Sequence, residues 1–411
     1  MRTDNELTVR RRLVVVLVFA MVALSACRAA YYFDRGLSHA EHGRYVKAIA
    51  AFDNTIRLQP DNAAAYYNRG VAHYTIGWYG RAIADYDEAI RLQPDDADAY
   101  NSRGVAHADI GRHEKSIADY DEAIRLQPDN ADAYNNRGVV HADLGRYEEA
   151  IVDFGEAIQL QPDNADAYSN RGVAYVSLGR YGRAVADFDE AIRLQPDDAG
   201  AYNSRGVAYT DLGRYEEAIA DFDHAIQLQP DLADAYSNRG RAHNGPGDYE
   251  EAIVDFDEAI RLQPDFAEAY FLRGLAHYNL GQYEKAIADF DEAIHRRPDY
   301  AKAYYKRGVA HADLGRYAET ITDLETATEL AQTAGDDDLA VTIEEALADE
   351  AIRLQPDFAK AYNNRGVVHA RLGRYAEAIS NLETALELAQ AAGDDDLASL
   401  IEQTLATVRN P

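Results

Sequence analysis

The chain has 411 residues, of which 47% are hydrophobic and 10% aromatic, so it can bury a core and is not a disordered polyelectrolyte. Its 41 Lys and Arg face 71 Asp and Glu, a formal charge of −30, which opposes binding to DNA, RNA or an anionic lipid surface through charge alone. One cysteine, Cys27, excludes an internal disulfide framework and a cysteine-based metal cluster.

In chain order the first element is a leader. "MRTDNELTVRRR" ends in three arginines, "LVVVLVFAMVA" at 13–23 is continuously apolar, and "LSAC" closes the stretch at 24–27. A basic region, a short apolar region and small residues form an export signal; the apolar run is too short to span a bilayer, which needs ~20 residues. Three readings stand: a generic signal peptide or a short signal anchor, each with an incidental cysteine, or a leader of residues 1–26 cut before a modified Cys27. Leu24-Ser25-Ala26-Cys27 resembles the lipobox of bacterial lipoproteins. That resemblance implies a thioether-linked diacylglyceryl group on Cys27, further acylation of the new amino terminus and, with Arg28 rather than Asp next to it, sorting to the outer membrane. The first 26 residues hold four arginines and two acids, so their removal makes the remainder still more acidic. Membrane attachment would then rest on the acyl chains alone.

From residue 29 onward the sequence repeats. The prolines Pro60, Pro94, Pro128, Pro162, Pro196, Pro230, Pro264 and Pro298 are each 34 residues apart. One unit, 131–164, reads "ADAYNNRGVVHADLGRYEEAIVDFGEAIQLQPDN". Tyr134, Arg137, Gly138 and His141 share one face of a first helix. Leu144 and Gly145 make a turn. Tyr147, Ala150, Ile151, Phe154, Ala157 and Ile158 then share one face of a second helix, which Pro162 ends. Neither helix buries its stripe alone, so the units must stack.

The unit resembles the tetratricopeptide repeat, whose aromatic, small and proline positions are met by Tyr134, Gly138, His141, Ala150, Phe154, Ala157 and Pro162. The resemblance implies an all-α, right-handed solenoid, a superhelix of helix-turn-helix repeats with a C-terminal capping helix. Nine tandem repeats fill 29–334 and a tenth fills 359–392. Residues 335–358 read as a former cap helix and linker trapped inside, and 393–411 as the terminal cap, because the tails after Gly335 and Gly393 match at an offset of 58. Asp336-Asp337-Asp338 and Asp394-Asp395-Asp396 read as helix N-caps rather than a calcium loop. Arg137 departs from the family, which often has Leu there. Arginine recurs at Arg35, Arg69, Arg103, Arg171, Arg205, Arg239, Arg273, Arg307 and Arg365, with acids such as Asp119, Asp121, Asp153 and Asp187 as candidate partners. "HNGPGDY" at 243–249 should shorten the first helix of repeat 7.

No nucleophile, phosphate-loop or dinucleotide motif is present in the sequence. The recurring histidines, exchanged for Tyr175 and Tyr209 in two repeats, read as packing groups rather than metal ligands. The expectation is a non-catalytic binding protein with no cofactor and no metal. In this family the first helices line a concave groove for extended peptides or partner helices. The corresponding slots here include Asn101, Asn135, Asn136, Asn170, Asn203 and Asn238, then a mixed aromatic and basic stretch of Arg241, Phe271, Leu272, Tyr278, Lys302, Tyr305 and Lys306. Lys302 and Lys306 match a basic pair that one subfamily uses to clamp acidic C-terminal peptides, although Leu272 replaces its asparagine. The expected partner is a protein or extended peptide, with no nucleic acid and with the membrane reached through the N-terminal lipid alone. Two other readings are a recruiting subunit for a glycosyltransferase or cell-wall hydrolase supplied in trans, and a cytoplasmic co-chaperone-like adaptor.

Overall fold

A computed structural model of the protein describes residues 24–409, in which 22 helices and no strands are found. Residues 1–23, most of the leader, lie outside the described residues. The chain divides into two compact units between Asp197 and Asp198, at the end of the fifth repeat.

The first unit holds α1 (24–41), α2 (Tyr45–Leu58), α3 (Ala63–Thr75), α4 (Tyr79–Leu92), α5 (Ala97–Asp109), α6 (His113–Leu126), α7 (Ala131–Asp143), α8 (Tyr147–Leu160), α9 (Ala165–Ser177) and α10 (Tyr181–Leu194). Odd-numbered helices are the first helices of their repeats and even-numbered ones the second. Four first helices start on a side-chain cap: Asn62, Asp96, Asn130 and Asn164 accept from the backbone N–H three residues on, at 2.9–3.1 Å. The turn inside each repeat needs a left-handed residue, supplied by glycines such as Gly145 at φ 71°. Gly138 serves a different end. A Cβ there would stand 2.7 Å from the Phe154 ring, so only glycine lets the two helices of the repeat close on that aromatic.

The second unit holds α11 (Ala199–Asp211), α12 (Tyr215–Leu228), α13 (Ala233–Asn244), α14 (Tyr249–Leu262), α15 (Ala267–Asn279), α16 (Tyr283–Arg296), α17 (Ala301–Asp313), α18 (Tyr317–Ala334), α19 (Asp337–Leu354), α20 (Ala359–Arg371), α21 (Tyr375–Ala392) and α22 (Asp395–Arg409). In repeat 7, α13 ends one residue early at Asn244, before Pro246, and Gly245 packs against the Tyr215 ring. The first helices α13, α15, α17 and α20 have Leu232, Phe266, Tyr300 and Phe358 at the cap position, with no side-chain cap. Both acidic triads do cap helices: Asp336 accepts from Leu339 N at 3.1 Å and Asp394 from Leu397 N at 3.0 Å. The inserted α19 buries Ala340 and Ile343 against Leu324, Ala327 and Ala331 of α18. At the C-terminus α22 packs Ile401 and Leu405 on α21 in the same way.

The repeated arginine forms a ladder. In the first unit Arg69, Arg103, Arg137 and Arg171 each fork onto the buried aspartate sixteen residues on, Asp85, Asp119, Asp153 and Asp187, at 2.6–2.7 Å. Nη1 of the first three also reaches back to an exposed aspartate of the preceding second helix, Asp53, Asp87 and Asp121, at 2.5–2.6 Å. In the second unit Arg239, Arg273 and Arg307 repeat both contacts, with Asp255, Asp289 and Asp323 inside and Asp223, Asp257 and Asp291 outside. Donating to the Asp153 carboxylate raises the pKa of the Arg137 guanidinium despite partial burial. The arginine thus ties its helix to its own partner and to the repeat before it, and the candidate partners Asp119, Asp121, Asp153 and Asp187 all take part.

Three places depart from this pattern. Ala51 stands sixteen residues beyond Arg35, where later repeats have the buried acid. Asn381 replaces that acid opposite Arg365, which still binds it at 2.8 Å. Arg365 also reaches Asp349 of α19 at 2.7 Å, so the inserted helix keeps the outer contact of a true second helix. Gly155 removes the outer carboxylate opposite Arg171.

Most of the recurring histidines sit beside the buried aspartates. His107, His141, His277 and His311 present Nε2 to Asp119, Asp153, Asp289 and Asp323 at 3.7–4.0 Å. Nδ1 of His107, His141 and His311 is buried without a partner. This is the packing role that exchange with Tyr175 and Tyr209 suggests.

Two outcomes follow from the ladder and its histidines. A Cβ on Gly155 would lie 3.8 Å from Nη1 of Arg171, so Gly155→Asp should restore the missing contact and replace a mid-helix glycine. The expected gain is about 1 kcal/mol, read as slower hydrogen exchange in α8 and α9; unchanged exchange there would contradict the ladder. Burial lowers the pKa of His107, His277 and His311, against the pull of the neighbouring aspartates. The folded chain therefore holds these rings neutral, while the unfolded chain takes up protons near ~6.5. Their contribution is complete above that pH and is lost as pH falls toward the lower folded values. The melting temperature should drop between pH 7 and pH 5, and replacing all three by Tyr should flatten the slope; an unaltered slope would exclude them as its source.

Candidate partner-binding face

Neighbouring first helices share a face, and side chains 35 residues apart meet across it. In the first unit Tyr74 Oη donates to Asp109 at 2.6 Å and Tyr67 lies 3.4 Å from Ser102 Oγ. Asn136 donates to Asn101 at 3.3 Å, and Asn170 to Asn135 at 3.2 Å. In the second unit Asn238 donates to Asn203 at 3.1 Å. The asparagines expected to meet an extended backbone thus already bind one another. Each pair uses one donor and one acceptor and leaves the remaining amide groups available.

Beside these pairs Asp98, Asp132 and Asp166 are exposed, and so are Val139 and Val173, at 37% and 49%. The two valines were missed as candidates from sequence. Val139 lies one turn beyond Asn135 and Val173 one turn beyond Ser169, so the helical period applied to the amide row would have found them. The face in the first unit therefore carries acids, amides and exposed aliphatic groups. Trp78 is also exposed, but Arg81 already covers its ring at 4.5 Å.

The mixed stretch of the second unit separates into buried and accessible parts. Phe271 is buried, with its ring 5.8 Å from Phe290 and 5.0 Å from Tyr300. This removes it from the candidate contacts: an aromatic at the uncapped start of α17, Tyr300, draws it into the core. Leu272 and Tyr278 are partly buried against the same cluster. Tyr278 Oη donates to Asp313 at 2.6 Å, and burial followed by that carboxylate raises its pKa. Arg241 points toward Asp211 at 3.6 Å, and its Nε is buried without a partner.

Lys302 is exposed on α17. One turn on, Tyr305 is half-buried, and burial raises its pKa. Lys306 lies over the Tyr305 ring at 5.0 Å. Lys302, Tyr305 and Lys306 thus form a basic patch with an aromatic centre. Cys27 is exposed on α1 in the first unit. Among the described residues no helix is long and apolar enough to cross a membrane, and no three His, Cys, Asp or Glu side chains gather as metal ligands.

Comparison with solved structures finds tetratricopeptide proteins. A repeat protein from Parabacteroides merdae shares 21% identity, over 61% of this chain and 98% of its own, with a TM-score of 0.49. YrrB, described as a TPR protein with an unusual peptide-binding site, shares 28% identity over 45% of this chain and 95% of its own, with a TM-score of 0.40. A human IFIT1 dimer with PPP-AAAA shares 15% identity over 86% of this chain and 89% of its own, with a TM-score of 0.55, which is a likeness of fold. No curated protein matches the sequence. Models described as tetratricopeptide repeat match residues 33–97, 169–233, 237–300, 274–336 and 357–409, and one described as TPR repeat matches 107–145 and 142–179. With the helix pairs, the turn glycines and these matches in agreement, the chain belongs to the tetratricopeptide repeat family.

Proposed function

We propose that this protein is a non-catalytic interaction scaffold, held in the bacterial envelope by lipid on Cys27, that takes a partner protein or peptide on its first-helix face. The observation that carries the reading is the patch of Lys302, Tyr305 and Lys306. Two lysines flank a half-buried ring on a chain of charge −30. Such a local reversal of sign selects an acidic segment with an apolar or aromatic anchor. The acid, amide and valine face of the first unit suits a longer extended peptide, with many weak contacts. The overall charge disfavours nucleic acid.

Support for the anchor comes from the basic and apolar leader, the lipobox pattern and the exposure of Cys27. The outer membrane is the proposed destination.

Two measurements test the two halves. Cells grown with a clickable palmitate analogue should label the wild-type protein and not Cys27→Ser; equal labelling would remove the anchor. A pull-down from envelope extract should recover a partner whose yield falls about fivefold or more when Lys302 and Lys306 are both changed to Glu. Undiminished recovery would move the binding site off α17.

A further inference from the structure

A cavity borders the inserted helix. It has a volume of about 510 Å³ and lies between α18, α19 and α20, inside the ~300–1,000 Å³ range of ligand pockets. Its floor is aliphatic, with Leu347, Ala348, Ala351, Val367 and Val368. The regular second helices have an aromatic ring, such as Phe290, immediately before the outer ladder carboxylate. In α19 that place, before Asp349, is taken by Ala348. The short side chain leaves space where a ring would otherwise lie.

The wall of the cavity includes Glu325. By position in its repeat Glu325 is an outer ladder carboxylate, equivalent to Asp291 in the repeat before it. Asp291 receives Arg307, Asp257 receives Arg273, and Asp349 receives Arg365, at 2.5–2.7 Å. The matching residue of repeat 10, Glu383, receives Arg409 from the terminal cap at 2.5 Å. Sixteen residues beyond Glu325, where an arginine would come, the inserted helix has Val341, and among the described residues no basic side chain pairs with Glu325. The other charges at the cavity answer each other, with Arg371 bound to Glu344 at 2.8 Å. What remains is one exposed carboxylate above an aliphatic floor.

We infer that this cleft is a binding site for an arginine side chain with an aliphatic neighbour, presented by a partner polypeptide. The arginine would complete on Glu325 the contact that the chain makes for itself elsewhere, and the neighbour would enter the space over Ala348. A guanidinium suits the position better than an ammonium because its fork can hold both carboxylate oxygens. The acidic field of the chain favours approach of a cationic segment. The inference rests on reading the protein as a binding scaffold, but uses other residues than the lysine patch, with a charge of opposite sign.

The test uses the full chain in detergent and a fluorescein-labelled Ala-Leu-Arg-Leu-Ala amide, followed by anisotropy. Saturable binding is expected, weaker with Lys in place of Arg and lost with Glu in that place. Glu325→Gln, an exposed substitution that leaves the fold intact, should weaken binding about tenfold. Ala348→Phe should abolish it by filling the floor, with helical circular dichroism confirming that the variant is folded. Absence of saturable binding, or equal affinity in wild type and Glu325→Gln, would overturn the inference. Changing Lys302 and Lys306 to Glu should leave this probe unaffected. If those changes alone abolish binding, the cleft is excluded while the scaffold reading stands.

Discussion

The structure depends on a guanidinium that cannot be left without carboxylates. Arg137 is mostly covered, and so is Asp153; either one alone would be a desolvated charge of several kcal/mol. Together they satisfy one another through a fork, and Nη1 of the arginine remains to take Asp121 of the preceding repeat. One side chain thereby sets both the closure of a helix pair and the docking of that pair on its neighbour. The adjacent Gly138 is part of the same device. By admitting the Phe154 ring against the backbone it brings α7 and α8 close enough for the arginine to reach.

A regular ladder makes its irregularities informative. Gly155 removes one outer carboxylate without disturbing the inner pair of Arg171. Asn381 keeps one hydrogen bond of the inner pair, from Nε of Arg365, and turns its amide nitrogen to the Glu377 carbonyl. The inserted α19 has the apolar stripe of a cap at its start and Asp349 near its end, so it closes repeat 9 and still receives repeat 10. That double role explains how a helix outside the 34-residue period is tolerated inside the stack. It also separates α18 from the next arginine-bearing helix, which is why Glu325 faces a cavity.

The surface follows a similar logic. Toward the start of the chain, side chains on adjacent first helices bind one another, and the helix starts are capped by Asn or Asp. From repeat 7 onward the caps give way to Leu232, Phe266, Tyr300 and Phe358. Aromatic packing replaces polar capping there, Phe271 goes into the core, and Lys302 is left exposed at the start of α17. A change in how a helix starts thus alters which groups its neighbour exposes.

Much of this was legible in the sequence. The period, the two-helix unit, the turn glycines, the Arg–Asp pairing and the acidic caps are all set within a window of about 34 residues, where helical spacing fixes which side chains share a face. Family membership rests on those same positions. Tertiary structure alone decided what happens between repeats. A residue's neighbours 35 positions away determine whether Asn135 is open or paired, whether Phe271 is a contact or core, and whether Glu325 meets an arginine. Those outcomes depend on distances across helices that touch only after stacking, and a one-dimensional pattern holds no measure of that separation.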